Sequence, residues 1–401
     1  KRPLEMNESE DVTRKMPKKS EERPTDTALS INGLMLMDSD PRDHSDGGDD
    51  SDSSSLISAI GRDNSINCII RCSRAHYGVI ACLNRSFRSL IRSGELYRAR
   101  RLSGVVEHWV YFSCQLLEWE AFDPINRRWM HLPRMDPNDC FTFADKESLA
   151  VGTGLLVFGR DLMSLVIYRY SILTNSWTTG SPMNEPRCLF GSASTGEIAI
   201  LAGGCDSSGN VLSSAELYDS EKGTWTRLPS MNKPRKMCSA VFMDGKFYVV
   251  GGSSADSALL TCGEEYDMET RTWREIPDMS PVRAAAKSEA PPLIAAVDDE
   301  LYAADYADME VKKYDKGEGA WRSVGRLPER ADSINGWGLA FRGCGHRLIV
   351  VGGPRNSGGG EGHIEVNSWI PGNGDRRPPQ WELLGRKRSG SFVYNCAVMG
   401  C

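Results

Sequence analysis

The chain has 401 residues, of which 25% are charged and 40% hydrophobic, with a formal net charge of −6. Those values suit a globular protein of two or three domains and give no general attraction to nucleic acid. No run of about 18 apolar residues occurs, so no membrane-spanning helix is expected. No basic-then-apolar leader opens the chain, so secretion is not expected.

Residues 1–55 are polar, and 45–55 contain only Ser, Asp and Gly. Such a segment cannot bury enough apolar surface to offset its ordering entropy, so a disordered tail is expected. Lys1-Arg2, then Arg14-Lys15-Met16-Pro17-Lys18-Lys19 after eleven residues, resemble a bipartite nuclear import signal. The expected location is therefore the nucleus, the cytoplasm, or both. A solvated tail is the alternative.

Residues 56–101 change character. Ile66, Ile69, Ile70, Val79, Ile80, Leu83, Phe87, Leu90 and Ile91 recur at helical spacing without proline, which predicts two or three short helices. A basic amphipathic piece, 95–101, ends the region. Leu83, Phe87 and Leu90 lie four and three residues apart, which predicts one shared helix face.

From residue 105 the pattern becomes β. Short apolar runs at 110–112, 155–158, 198–201, 247–250 and 348–351 are mostly bounded by turn residues. Trp129, Trp177, Trp225, Trp273 and Trp321 stand 48 residues apart, and Trp381 follows after 60. Seven residues before the first five of these Trp lie Phe122-Asp123, Tyr170-Ser171, Tyr218-Asp219, Tyr266-Asp267 and Tyr314-Asp315. Met135, Met183, Met231 and Met279 follow the first four by six residues. Glycine doublets precede some units at Gly203-Gly204, Gly251-Gly252 and Gly352-Gly353. The second and fifth units have Gly159-Arg160 and Ala303-Ala304 instead, and the first has none.

A glycine pair ending a strand permits positive φ and close strand approach. An aromatic and a Trp on successive strands can pack between sheets. Each unit is thus predicted to be a four-stranded antiparallel sheet, with the third at 189–194, 197–202, 215–219 and 224–228. The first unit lacks its innermost strand, and the apolar run 391–399 has no unit of its own. That run is predicted to supply the missing strand and close a six-bladed β-propeller over 105–401, which removes the sheet edges.

The strand, Gly-Gly, aromatic-Asp, Trp order resembles the kelch repeat. Cys82-Leu83-Asn84-Arg85-Ser86-Phe87-Arg88-Ser89-Leu90, followed by Gly94-Glu95-Leu96-Tyr97-Arg98, resembles the end of an F-box. Leu56-Ile57-Ser58-Ala59-Ile60 departs from the leucine–proline opening usual there. An F-box before a kelch propeller, with the phrases at 106–111 and 395–401, resembles the plant F-box/kelch-repeat proteins. The resemblance implies a substrate receptor of an SCF-type cullin–RING ubiquitin ligase. Its helices would dock on a SKP-type adaptor and its propeller would hold a target protein. Candidate adaptor contacts are Leu56, Ile57, Ile66, Ile69, Leu83, Phe87 and Leu90. The alternatives are a helical linker packed on the propeller and a kelch scaffold without a ligase link.

Arg187, Arg235 and Arg283 lie ten residues after their tryptophans, at equivalent corners of adjacent units. Three guanidinium groups in an arc would suit an acidic or phosphorylated segment of a target. The alternative is pairing with Glu216, Glu264 or Glu265 inside the repeat.

No catalytic residue, cofactor or metal is expected. Kelch-type copper oxidases use His and Tyr ligands, but His44, His76, His108, His131, His346 and His363 follow no ligand spacing. Twelve cysteines include no C-x-x-C pair, and Cys68, Cys72 and His76 have no second cluster nearby. Reduced, packed thiols are expected.

Overall fold

The computed structural model describes residues 56–162, 164–281, 290–330, 336–354, 362–372 and 378–401. The expected N-terminal tail, its basic clusters and Arg283 lie outside the described residues.

The apolar spacing of 56–101 resolves into α1 (Gly61–Ile69), a 3-10 turn at Arg74–His76, α2 (Tyr77–Ile80), α3 (Arg85–Arg92) and α4 (Glu95–Leu102). Asn84 starts α3: its backbone is extended and its Oδ1 accepts from Phe87 N–H at 2.8 Å. This cap corrects one expectation. Leu83 precedes the cap, so it does not share a helix face with Phe87 and Leu90, and it is 67% exposed.

The rest forms a six-bladed propeller of four-stranded antiparallel sheets. Blade 1 runs Asn395–Gly400, His108–Ser113, Glu120–Asp123, Arg128–His131 from axis to rim. Blade 2 is Glu147–Val151, Gly154–Arg160, Leu165–Ser171, Ser176–Thr179. Blade 3 is Gly191–Thr195, Ile198–Ala202, Ala215–Asp219, Thr224–Leu228. Blade 4 is Ser239–Met243, Lys246–Val250, Gly263–Asp267, Thr272–Ile276. Blade 5 is Ile294–Val297, Glu300–Asp305, Glu310–Asp315, Ala320–Arg326, and blade 6 is Ala340–Cys344, Arg347–Gly352, His363–Trp369, Glu382–Arg388. The late strand completes blade 1, with His108–Ser113 paired to Gly400–Asn395 in antiparallel register. Each innermost strand touches those on both sides, so the ring closes.

The repeat residues explain the geometry. Tyr218 and Trp225 are direct cross-strand partners with ring centroids 4.7 Å apart. The Trp225 indole N–H then crosses to the preceding blade and donates to Ser181 O at 2.9 Å. Trp177, Trp273, Trp321 and Trp381 make the same bond to Pro133, Pro229, Met279 and Arg326. The Asp after the aromatic closes the hairpin: Asp219 Oδ1 accepts from the backbone of Glu221 and Lys222, both at 3.1 Å. Asp123, Asp267 and Asp315 do likewise, and Ser171 substitutes through its hydroxyl in blade 2.

Gly203 and Gly204 have φ of 71° and 91°, and a side chain at Gly204 would collide with the Cys188 carbonyl. Gly251 and Gly252 repeat this with φ of 66° and 91°. Gly352 and Gly353 do not take positive φ; Leu339 and Ser391 pack where their side chains would stand, so close approach alone selects glycine there. The apolar core is divided among the junctions between neighbouring blades.

Candidate functional site

The helices share one core with the propeller. Leu56, Ile69, Phe87, Leu90, Leu96 and Tyr97 are buried in the cluster that also holds Trp109 and Tyr111 of blade 1, Tyr170 of blade 2 and Met399. Two buried guanidinium groups pin this seat. Arg100 Nη1 donates to Ile70 O (2.8 Å), Cys72 O (2.7 Å) and Tyr77 Oη (2.9 Å), and Nη2 pairs with Glu107 at 3.1 Å. Glu107 also accepts from the Arg74 backbone N–H and the Ser73 hydroxyl. The Arg74 guanidinium lies 3.9 Å over the Trp109 ring, with Nη1 2.5 Å from Cys401 Sγ. At the edge of the seat, Arg98 pairs with Glu221 at 2.7 Å, and Arg101 pairs with Glu197. Burial pushes the Tyr77 and Tyr97 hydroxyls above their ordinary range.

The candidate adaptor contacts divide into two groups. Leu56, Ile69, Phe87 and Leu90 are buried, and Ile66 packs half-buried beside them. Ile57 and Leu83 are exposed, as are Ile60 and Val79, which the spacing argument did not name as contacts. The helical module therefore has an inner side fixed to the propeller and apolar side chains left in solvent.

Arg187 and Arg235 do not form an exposed arc. Both are buried, which corrects that expectation. Arg235 Nη2 pairs with Glu264 at 2.8 Å, and its Nη1 donates to Gly251 O and Cys262 O. Glu264 in turn accepts from the backbone N–H of Asn232 (2.7 Å) and Lys233 (3.0 Å). Arg187 and Glu216 repeat the arrangement at 3.2 Å, with Asn184 and Glu185 as the backbone donors. The carboxylate thus joins the guanidinium to the connection entering the blade, and both terminal nitrogens of each guanidinium are engaged internally. In blade 6, buried Arg330 pairs at 3.1 Å with the half-buried Glu365. In blade 5 the 48-residue register puts Lys312 where blades 3 and 4 have Glu216 and Glu264, and Lys312 pairs with Asp305 at 2.6 Å.

A cavity of about 380 Å³ follows the axis, lined by the innermost strands. Glu147 lines it and accepts from Leu189 N–H at 2.5 Å. Burial raises its carboxyl pKa to about 7. Arg342 also lines it, and its Nε and Nη1 donate to the carbonyls of Cys396 and Phe341. Trp337 and Tyr394 stand where the chain enters innermost strands, and Tyr394 packs on Phe392 with centroids 4.8 Å apart. The helices instead meet the turns at Glu197 and Glu221, where strands of blade 3 leave the other face. The aromatic face and the helical module thus occupy opposite ends of the axis. Among the described residues, no three His, Cys, Asp or Glu side chains are placed to hold a metal ion.

Blades with this aromatic-Asp/Trp ladder define a kelch-type propeller, here carrying a helical module on one face. The Kelch motif is matched at residues 186–232 and 234–280, which are blades 3 and 4 with the connections that enter them. These two blades combine the left-handed glycine pair with the buried Arg–Glu pair. F-box/kelch-repeat protein SKIP11 of Arabidopsis thaliana is 68% identical over 364 residues, covering 88% of this chain and 77% of that protein. F-box/kelch-repeat protein At1g26930 of the same plant is 59% identical over 383 residues, covering 93% and 90%. F-box/kelch-repeat protein At1g74510, also from Arabidopsis, is 58% identical over 363 residues, covering 87% and 80%. The chain belongs to the plant F-box/kelch-repeat protein family.

Proposed function

We propose that this protein is a non-catalytic substrate receptor of an SCF-type cullin–RING ubiquitin ligase. The carrying observation is the division of the helical module: its inner side is fixed to blades 1 and 2, while Ile57, Ile60, Val79 and Leu83 stand in solvent. Exposed apolar helix residues suit the groove of a small helical adaptor of the SKP type. The residues buried beneath them, Leu56, Ile69, Phe87 and Leu90, hold that surface in place. The target is held at the opposite end of the axis, around Trp337, Phe392 and Tyr394, so that the ligase and target ends do not compete. The working location is the nucleus, the cytoplasm, or both.

Co-purification tests this reading. The intact protein should recover the adaptor and cullin, and Val79→Glu with Leu83→Glu should lose both while the propeller keeps its near-ultraviolet dichroism. Failure of the intact protein to recover them would leave a kelch interaction scaffold without a ligase link.

A further inference from the structure

The connection entering blade 3 carries Cys188, and the first residue past the Gly203-Gly204 pair is Cys205. The two face each other across an isolated antiparallel bridge. Cys188 N–H donates to Cys205 O at 3.0 Å and Cys205 N–H returns to Cys188 O at 2.8 Å. Mutual exchange of both bonds marks a hydrogen-bonded cross-strand pair, whose Cα atoms lie roughly 5.5 Å apart. That separation falls within the range of roughly 4.4–6.8 Å that a disulfide spans. The sulfurs are already in contact at 3.6 Å. Blade 4 provides an internal comparison, because the same bridge recurs there between Lys236 and Ser253, with bonds of 2.9 and 2.8 Å. The backbone geometry therefore belongs to the repeat, and the paired thiols belong to blade 3.

We propose that Cys188 and Cys205 form a reversible disulfide under a peroxide-class oxidant. One thiolate sulfur attacks a peroxide oxygen, the O–O bond breaks, and the departing hydroxide takes a proton and leaves as water. The resulting sulfenic acid is then attacked by the second sulfur; its S–O bond breaks and the oxygen leaves as a second water. Both sulfurs are oxidised, both peroxide oxygens are reduced, and two thiols plus one peroxide give one disulfide and two waters. Cys205 is buried while Cys188 is half-buried, so Cys188 is the sulfur open to small oxidants and to reducing thiols. Burial and the neighbouring Cys205 thiol push Cys188 up to about 12. Little thiolate is present at neutral pH, so the pair stays reduced at rest and closes under sustained rather than brief oxidation. Closure would tie the connection entering blade 3 to the loop that begins at Asp206, on the propeller face remote from the helices. The inference does not depend on the ligase reading.

Peptide mapping of the full chain tests it. Trypsin releases peptide 188–222 intact, since no Lys or Arg lies between Arg187 and Lys222, and Cys188 and Cys205 are its two cysteines. After hydrogen peroxide, quenching and unfolding, that peptide should resist alkylation and be lighter by two hydrogen atoms. Reduction with dithiothreitol should restore two alkylation sites. In Cys188→Ser the link should be absent, with Cys205 left as a single thiol or oxygenated. The exposed Cys68, Cys72, Cys82 and Cys140 calibrate the dose. The proposal is overturned if peptide 188–222 still takes two alkyl groups at doses that oxidise those four. It is equally overturned if the peptide gains oxygen without forming the link.

Discussion

Arg235 and Glu264 meet at 2.8 Å with both side chains fully buried, and the carboxylate also accepts from the backbone N–H groups of Asn232 and Lys233 and from the Asn232 side-chain amide. Removing one member strands the other charge. Glu264→Ala should therefore cost about 3–5 kcal/mol, while Arg235→Met combined with Glu264→Leu should recover most of that loss. Urea denaturation of the two variants measures the difference. Equal losses in the single and double variants would show that the carboxylate's backbone contacts, rather than the ion pair, carry the stability.

Trp225 is half-buried, stacks on Tyr218 and hydrogen-bonds to the neighbouring blade. Trp225→Ala should destabilise the ring by about 2–4 kcal/mol, toward the lower end for large aromatics because part of the ring is in solvent. Trp225→Phe should keep the stack and lose the indole bond, costing about 1 kcal/mol. A loss within about 0.5 kcal/mol for the alanine variant would make this a surface residue.

The two sides of the helical module should separate in a mutant pair. Phe87→Ala opens the core shared with blades 1 and 2 and should cost about 3–5 kcal/mol. Leu83→Ala should stay within about 0.5 kcal/mol of the parent in stability, yet weaken adaptor capture in a pull-down. Adaptor capture unchanged by Leu83→Ala and Val79→Ala together would place the docking surface elsewhere.

Glu147 gives the ring a pH dependence. Its folded pKa of about 7 lies above the ordinary 4.5, so the folded state binds more protons than the unfolded state between those values. Stability should therefore fall as pH rises from about 4.5 to about 7, by about 1 kcal/mol for a group at a cavity wall. Glu147→Gln should flatten this part of the profile and make the protein more stable than the parent at pH 8. Melting curves across that range would refute the assignment if parent and variant ran parallel.

Much of this architecture was legible because the repeat fixes position and not only type. The third blade's strands at 215–219 and 224–228 follow directly from the Tyr218-Asp219 and Trp225 spacing, and the orphan run near the end of the sequence foretold the closing strand. The arginines were harder, since a charge in a repeat reads alike on a surface or in a core. A signal was present nonetheless: Glu216 and Glu264 each follow their arginine by 29 residues, and a co-repeating opposite charge marks an internal pair. Helical periodicity runs on through Leu83, whereas Asn84 offers the stronger local bond and starts α3. The burial of Arg74 and Arg100 had no local signal. Their partners, Cys401, Trp109 and Glu107, come from other elements and meet them only in the folded chain.

The closing strand has a consequence for biosynthesis. Residues 108–113 leave the ribosome early, but their pairing partners at 395–400 emerge only after every other blade has been made. Blade 1 must wait with an open edge, and the helices wait with it, because Met399 and Cys401 belong to the core on which they sit. A chain cut short by premature termination would therefore lose the ring's seal and the footing of its helical module together. Such a product would carry an exposed sheet edge in place of a closed ring.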